Sequence, residues 1–171
     1  MSDAGTSGNR DLRDAFGRFA TGVAVITAYE DGRPTGLTVN SLTSVSLDPP
    51  LLLWCLRRAS QRRDVFAHAQ HFGVNVLAAD QRPASRWFAA DRQPFDRVAW
   101  HAGHAGVPLL DGAIAHYVCR RAGDFDGGDH IIVLGEVVRF RCTDGEPLVF
   151  HSGAYQAVRA LQPQEVTAPA P

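Results

Sequence analysis

Two hydrophobic periods trade places along this chain. Behind Asp11, which is placed to cap a helix, Leu12, Ala15, Phe16 and Phe19 recur at helical spacing until Gly22 breaks the pattern. Val23, Val25 and Tyr29 then alternate up to Glu30-Asp31-Gly32-Arg33, an Asp-Gly turn that predicts a hairpin returning as a strand over 35–44. The run PLLLWCL (50–56) is continuously apolar and predicts a strand covered on both faces; Ser60 then caps a short helix bearing Val65 and Phe66. A strand follows over 72–77. Asp80 opens a helical stretch carrying Trp87 and Phe88, closed by Pro94 before strand-like residues 98–101. From Gly112 the chain reads as strand (113–121), glycine-rich turn (123–128), long strand (130–142), Asp144-Gly145 turn and a last strand through Phe150.

Strands joined by hairpins, with helices inserted instead of alternating strictly, exclude a doubly wound parallel sheet and predict an antiparallel barrel with helical excursions. Barrel closure also removes the exposed sheet edges. Residues 1–10 and 161–171 are small, polar and proline-rich and are expected to be flexible ends, leaving one folded domain over 11–160. The length suits a single domain with a real core, and 45% hydrophobic against 20% charged residues is ordinary globular composition. Arginine supplies the positive charge and is scattered, and 17 basic against 18 acidic residues leave a net charge of -1, so no nucleic-acid partner is expected. Cys55, Cys119 and Cys142 are widely spaced without a CxxC, which argues against disulfides and structural zinc. The pairs His68/His71 and His101/His104 have no ligand pattern around them, so no metal is expected. With no long apolar span and a small, polar N-terminus, no membrane is expected and a cytoplasmic location is.

The chemistry concentrates in TVNSLTSVSLDPP (38–50), which packs hydroxyls and a carboxamide into a strand-like stretch, and in Gly128-Asp129-His130 ahead of the long strand. Short Thr, Asn and Ser side chains beside an accessible backbone suit a flat ligand with alternating carbonyl and N–H groups. Ser60 at a helix start, with Arg62 behind it, has the parts of an anion site. Their plainer roles are a helix cap and a solvated arginine. No GxGxxG follows a strand, so a dinucleotide here would not sit on a Rossmann fingerprint. Trp54, Trp87 and Phe88 read as core or interface.

Six blocks in order resemble the short-chain flavin reductases, the FMN-binding split-barrel proteins that serve two-component flavin monooxygenases: FATGVAVIT (19–27), TVNSLTSVSLDPPL (38–51), FGVNVLAADQ (72–81), PLLDGAIAHYVC (108–119), GDHIIVLGEV (128–137) and PLVFHSGAY (147–155). The resemblance implies a mainly β fold with inserted helices: a six-stranded antiparallel Greek-key split barrel, working as a homodimer with flavin near the interface. It implies an NAD(P)H:flavin oxidoreductase that moves a hydride to FMN or FAD and supplies reduced flavin to a separate flavin-dependent monooxygenase. Thr38, Val39, Asn40, Ser41 and Leu42 would line the isoalloxazine and ribityl chain, and Ser60 and Arg62 would face the phosphate. Asn75 and Tyr155 would be further cofactor-binding positions. Gly128, Asp129 and His130 would meet the nicotinamide, with His130 as the catalytic position. Arg62 stands where many relatives carry a small hydroxyl residue, which leaves FMN and FAD both open. The acidic approach Asp126-Gly127-Gly128 favours NADH, with NADPH as the alternative. Two other functions fit the same barrel, a flavoprotein with tightly held flavin acting on another small molecule and a non-catalytic flavin- or haem-binding module.

Overall fold

The structure is a computed structural model that describes residues 8–90 and 93–158. In chain order it forms α1 (Asn9–Phe16), β1 (Thr21–Gly22), β2 (Ala24–Glu30), β3 (Arg33–Val39), β4 (Thr43–Leu47), β5 (Pro50–Arg57), α2 (Arg63–His68), β6 (His71–Val76), α3 (Arg82–Ala89), β7 (Trp100–Ala102), β8 (Pro108–Leu110), β9 (Ala115–Gly127), β10 (His130–Cys142), β11 (Val149–His151) and β12 (Ala154–Gln156). The main sheet has seven antiparallel strands in the order β3-β2-β6-β9-β10-β5-β4, and β1-β11-β12 and β7-β8 form two small sheets beside it.

Strands β3 and β4 are neighbours in sequence but occupy opposite edges of that sheet. Residues 40–42 alone join them, so Val39 and Thr43 are four Cα steps apart, at most ~15 Å. Seven strands laid flat would hold their edges about 29 Å apart. The sheet must therefore curl until its edges nearly meet, and the β3/β4 seam is where the barrel stays split. Ser41 ties the seam, its Oγ accepting from the Cys55 N–H of β5 at 2.9 Å.

Inside the barrel Trp54, Phe66 and Phe72 are each at most 1% exposed and pack with Ile26, Leu56, Val74 and Val133. The Trp54 ring meets Phe66 and Phe72 edge to face, with centroids 5.6 and 5.9 Å apart. Each such pair adds about 0.5–1.5 kcal/mol to the burial term. Cys119 lies in the same core, where desolvation pushes its thiol up to about 12 and keeps it protonated. A second cluster, Val23, Val25, Leu77, Phe88, Leu110 and Leu148, fills the space outside β2 and is covered by α3 and the small sheets.

Several sequence expectations change. The strand expected over 35–44 is two strands, because 40–42 leave the ladder, and the main sheet has seven strands where six were expected. Strand β5 alternates instead of being covered on both faces: Leu52, Trp54 and Leu56 are buried while Leu51, Leu53 and Cys55 are half-buried. The glycine-rich stretch from Gly123 is strand, because pairing with β10 overrides the local turn preference of glycine, and the turn shrinks to Gly128-Asp129. Helix α1 starts at Asn9, inside the end expected to be flexible, and Gly8 is its cap in place of Asp11. None of its residues is buried. The expectations for residues 1–7 and 161–171 lie outside the described residues.

Close packing makes one glycine in β10 testable. A Cβ on Gly135 would stand 2.5 Å from Phe72 Cζ and 3.0 Å from Cys119 Cβ. Gly135→Ala is expected to destabilise by about 1–3 kcal/mol, read as a melting temperature lowered by several degrees.

Candidate flavin and nicotinamide site

A cavity of about 400 Å³ opens on the outer face of the barrel beside the seam, lined by Leu37, Thr38, Val39, Asn40, Ser41, Cys55, Arg57, Ala59, Ser60, Gln61, Phe88, Ala89 and His130. Two distant segments singled out in the sequence meet there. Antiparallel pairing explains why: His130 opens β10 directly opposite Arg57 at the end of β5, and Ile132 lies opposite Cys55. Residues paired across strands share a face, so Cys55, Arg57 and His130 point out of the barrel together while Trp54 and Leu56 point in.

The β3 side is held by hydrogen bonds to α3 and to Gln93. Thr38 Oγ1 donates to the Ser85 carbonyl at 2.7 Å, and the Gln93 side chain accepts from the Gly36 N–H at 2.9 Å and from the Thr35 hydroxyl at 3.1 Å. These bonds cover the open edge of β3 and bring Phe88 and Ala89 over the cavity. Past Val39 the pairing stops, and among the described residues no backbone hydrogen bond engages Asn40, Ser41 or Leu42. Their N–H and C=O groups are left as free donors and acceptors.

The opposite wall is the β9–β10 hairpin. Its two-residue turn places Gly128 at φ 73°, the first central position of a type II′ turn, which glycine occupies without steric cost. Arg58 clamps the turn, donating from Nε to the Gly128 carbonyl and from a terminal nitrogen to Asp126 Oδ1, both at 2.8 Å. Asp129 Oδ1 lies 2.7 Å from His130 Nδ1. That hydrogen bond, reinforced by the charge of the ring, holds the Asp129 carboxyl below the usual carboxylate range. With the Asp129 carboxylate on Nδ1, Nε2 is the ring nitrogen left for another partner.

The expected site residues divide. Thr38, Val39, Asn40, Ser41, Ser60 and His130 line the cavity, and Gly128 and Asp129 build the turn that presents His130. Leu42 does not; it lines a separate apolar groove with Leu47, Pro50 and Phe140. Ser60 is not a helix cap, since Arg62 is the cap of α2; its hydroxyl accepts from the Arg62 N–H at 3.2 Å. Arg62 pairs with Glu30 Oε2 at 2.9 Å and is not among the lining residues. Asn75 is fully buried, donating to the Val25 carbonyl and Thr27 Oγ1 and accepting from the Leu110 N–H, so its amide belongs to the fold. Tyr155 stands behind the cavity wall, its hydroxyl 2.8 Å from Ser85 Oγ and its ring against Phe150. Sequence reasoning missed Arg57, Gln61 and Ala89, which carry no motif, and it placed Phe88 in the core or an interface, where it also forms a wall. Only the registers of β5 and β10 reveal Arg57.

The "Flavin reductase like domain" family pattern matches residues 16–159. The chain is 46% identical over 151 residues to the NADH-dependent FMN reductase SmoA of Agrobacterium fabrum, covering 88% of this chain and 87% of that protein. It is 42% identical over 148 residues to the reductase component of the flavin-dependent trigonelline monooxygenase of Acinetobacter baylyi, covering 85% of this chain but 48% of that one. Among solved structures, the Streptomyces globisporus NADH:FAD oxidoreductase SgcE6, in complex with NAD and FAD fragments, superposes with a TM-score of 0.85 at 38% identity, over 95% of this chain and 97% of that one.

Asn75 gives a direct check on the division between fold and site. Asn75→Ala would strand the Leu110 N–H in the core, and is expected to cost about 2–4 kcal/mol in urea denaturation. Flavin affinity of the folded protein should stay within about twofold, as for distant independent sites.

Proposed function

Since the chain belongs to the flavin reductase-like domain family, we propose that the cavity beside the seam binds flavin along residues 38–41, with the nicotinamide of NADH against His130. The protein is an NADH-dependent flavin reductase that supplies reduced flavin to a monooxygenase component. The observation carrying the site assignment is the convergence on one cavity of the free backbone at Asn40 and Ser41 and of His130, which the Gly128-Asp129 turn presents.

When both ligands are bound, nicotinamide supplies a hydride and flavin accepts it, which needs no protein acid or base. The protein's contribution is placement in a confined site, a term that reaches several kcal/mol when the reacting groups are held in contact geometry. Backbone N–H and C=O groups of Asn40 and Ser41 fix the ring edge, while Phe88 and Ala89 narrow the space above it. His130, held through Nδ1 by Asp129, offers Nε2 to the carboxamide of the nicotinamide. Because the folded Asp129 carboxyl is depressed, this hold is complete above the ordinary carboxylate range and is lost as pH falls through the lowered value. Consumption of NADH fits a cytoplasmic location.

We also propose a homodimer. Leu47 is 95% and Phe140 73% exposed, and both line an apolar groove with Leu42, Pro50, Leu51 and Val137. A second copy of the chain would cover this groove, which adjoins the seam through Leu42. In light scattering the particle mass is expected at about twice the 18.5 kDa chain mass, falling to one chain in Leu47→Glu.

NADH absorbance should fall only when flavin is added, and flavin should bleach when oxygen is excluded; NADH oxidation that ignores flavin would overturn the assignment. His130→Ala is expected to lower kcat/KM for NADH by roughly tenfold or more with an unchanged melting temperature. Asp129→Asn should lower it severalfold and remove the acid-side loss of activity expected in the parent as pH falls through the lowered Asp129 value.

A further inference from the structure

Arginine supplies the positive charge beside this cavity, and the structure separates one arginine from its neighbours. Four arginines lie between 57 and 63. Arg58 is locked onto Asp126 and the Gly128 carbonyl, Arg62 onto Glu30, and Arg63 onto Asp64. Arg57 is the one that lines the cavity, and among the described residues its guanidinium has no hydrogen bond or ion pair. Asp129 feels its charge weakly but is already bonded to His130.

The backbone around Arg57 completes an anion-binding set. The Ser60 N–H donates to the Arg57 carbonyl at 3.0 Å, closing a reverse turn that brings the two residues together. The next turn is closed by Arg63 N–H to the Ser60 carbonyl at 3.1 Å. Among the described residues the N–H groups of Ala59 and Gln61 find no protein acceptor, and both residues line the cavity. A free guanidinium, the Ser60 hydroxyl and two unengaged N–H groups thus stand together, with no carboxylate among the lining residues.

We propose that Arg57, in place of Arg62, is the cation that holds the flavin's phosphate, so that the site selects phosphorylated flavins over riboflavin. This rests on the flavin reductase function stated above. The anion is a phosphate ester, and the pyrophosphate of the pyridine nucleotide is the other source of that chemistry. The flavin phosphate is assigned because the donor set belongs to the same cavity as residues 38–41, which hold the ring.

The test measures flavin affinity by fluorescence quenching, and kcat/KM, for FMN and riboflavin with Arg57→Gln, Arg57→Lys and Arg62→Gln, each checked for an unchanged melting temperature. In Arg57→Gln the preference for FMN over riboflavin is expected to fall about tenfold or more, as when a charge-assisted phosphate contact is removed. Arg57→Lys should recover part of it, and Arg62→Gln should leave the preference within about twofold. An unchanged preference in Arg57→Gln, with the parent reducing both flavins, overturns this assignment alone. A loss confined to the KM for NADH moves the contact to the pyridine nucleotide and overturns it too. A parent protein that binds neither flavin overturns the reductase function together with it.

Discussion

The three-residue bridge between β3 and β4 is the constraint on which the other features depend. A connection of at most ~15 Å between the two edges of a seven-stranded sheet leaves no flat solution. Once the sheet curls, Trp54, Phe66 and Phe72 are enclosed and form the barrel core. The same bridge cannot pair with either edge, so its backbone polar groups stay available at the surface. Closing the barrel and opening a binding edge are thus two results of one short connection.

The site is built on the outer face of the strands that make the core. Strand β5 alternates between Leu52, Trp54 and Leu56 inside and Cys55 and Arg57 outside. A slip of one residue in the β5–β10 register would exchange those faces, placing Arg57 in the core and Trp54 in the cavity. The packing of Trp54 against Phe66 and Phe72 therefore specifies the position of the cavity-facing residues as firmly as any contact within the cavity. Asn75 acts at the same level, joining β2, β6 and the β8 strand from the interior.

Charges around the cavity are organised by pairing. Arg58, Arg62 and Arg63 each have a carboxylate partner, which fixes the β9–β10 turn and the start of α2. Asp129 is held ionised by His130 and in turn orients that ring through Nδ1. At an exposed surface such pairs contribute little stability. Their effect here is on orientation, which is what hydride transfer between two bound ligands requires.

Alternation and turn chemistry made much of the fold legible in the sequence: the Asp31-Gly32 hairpin, the long strand His130–Cys142, the inserted helices and the antiparallel class all follow from local periodicity. Thr38 to Ser41, Ser60 and His130 were legible as a site only through the order and spacing of the six blocks, because Thr, Asn and Ser are ordinary strand and turn residues on their own. What only the tertiary structure decided is which polar residues face the cavity and which face their own chain. Asn75 resembles a ligand contact in sequence but lies in the core, Arg62 resembles a phosphate contact but pairs with Glu30, and Arg57 carries no motif yet lines the cavity. The physical reason is that a side chain's period along its own strand specifies its face but not its partner, and partners are set by registers between strands more than seventy residues apart in the chain.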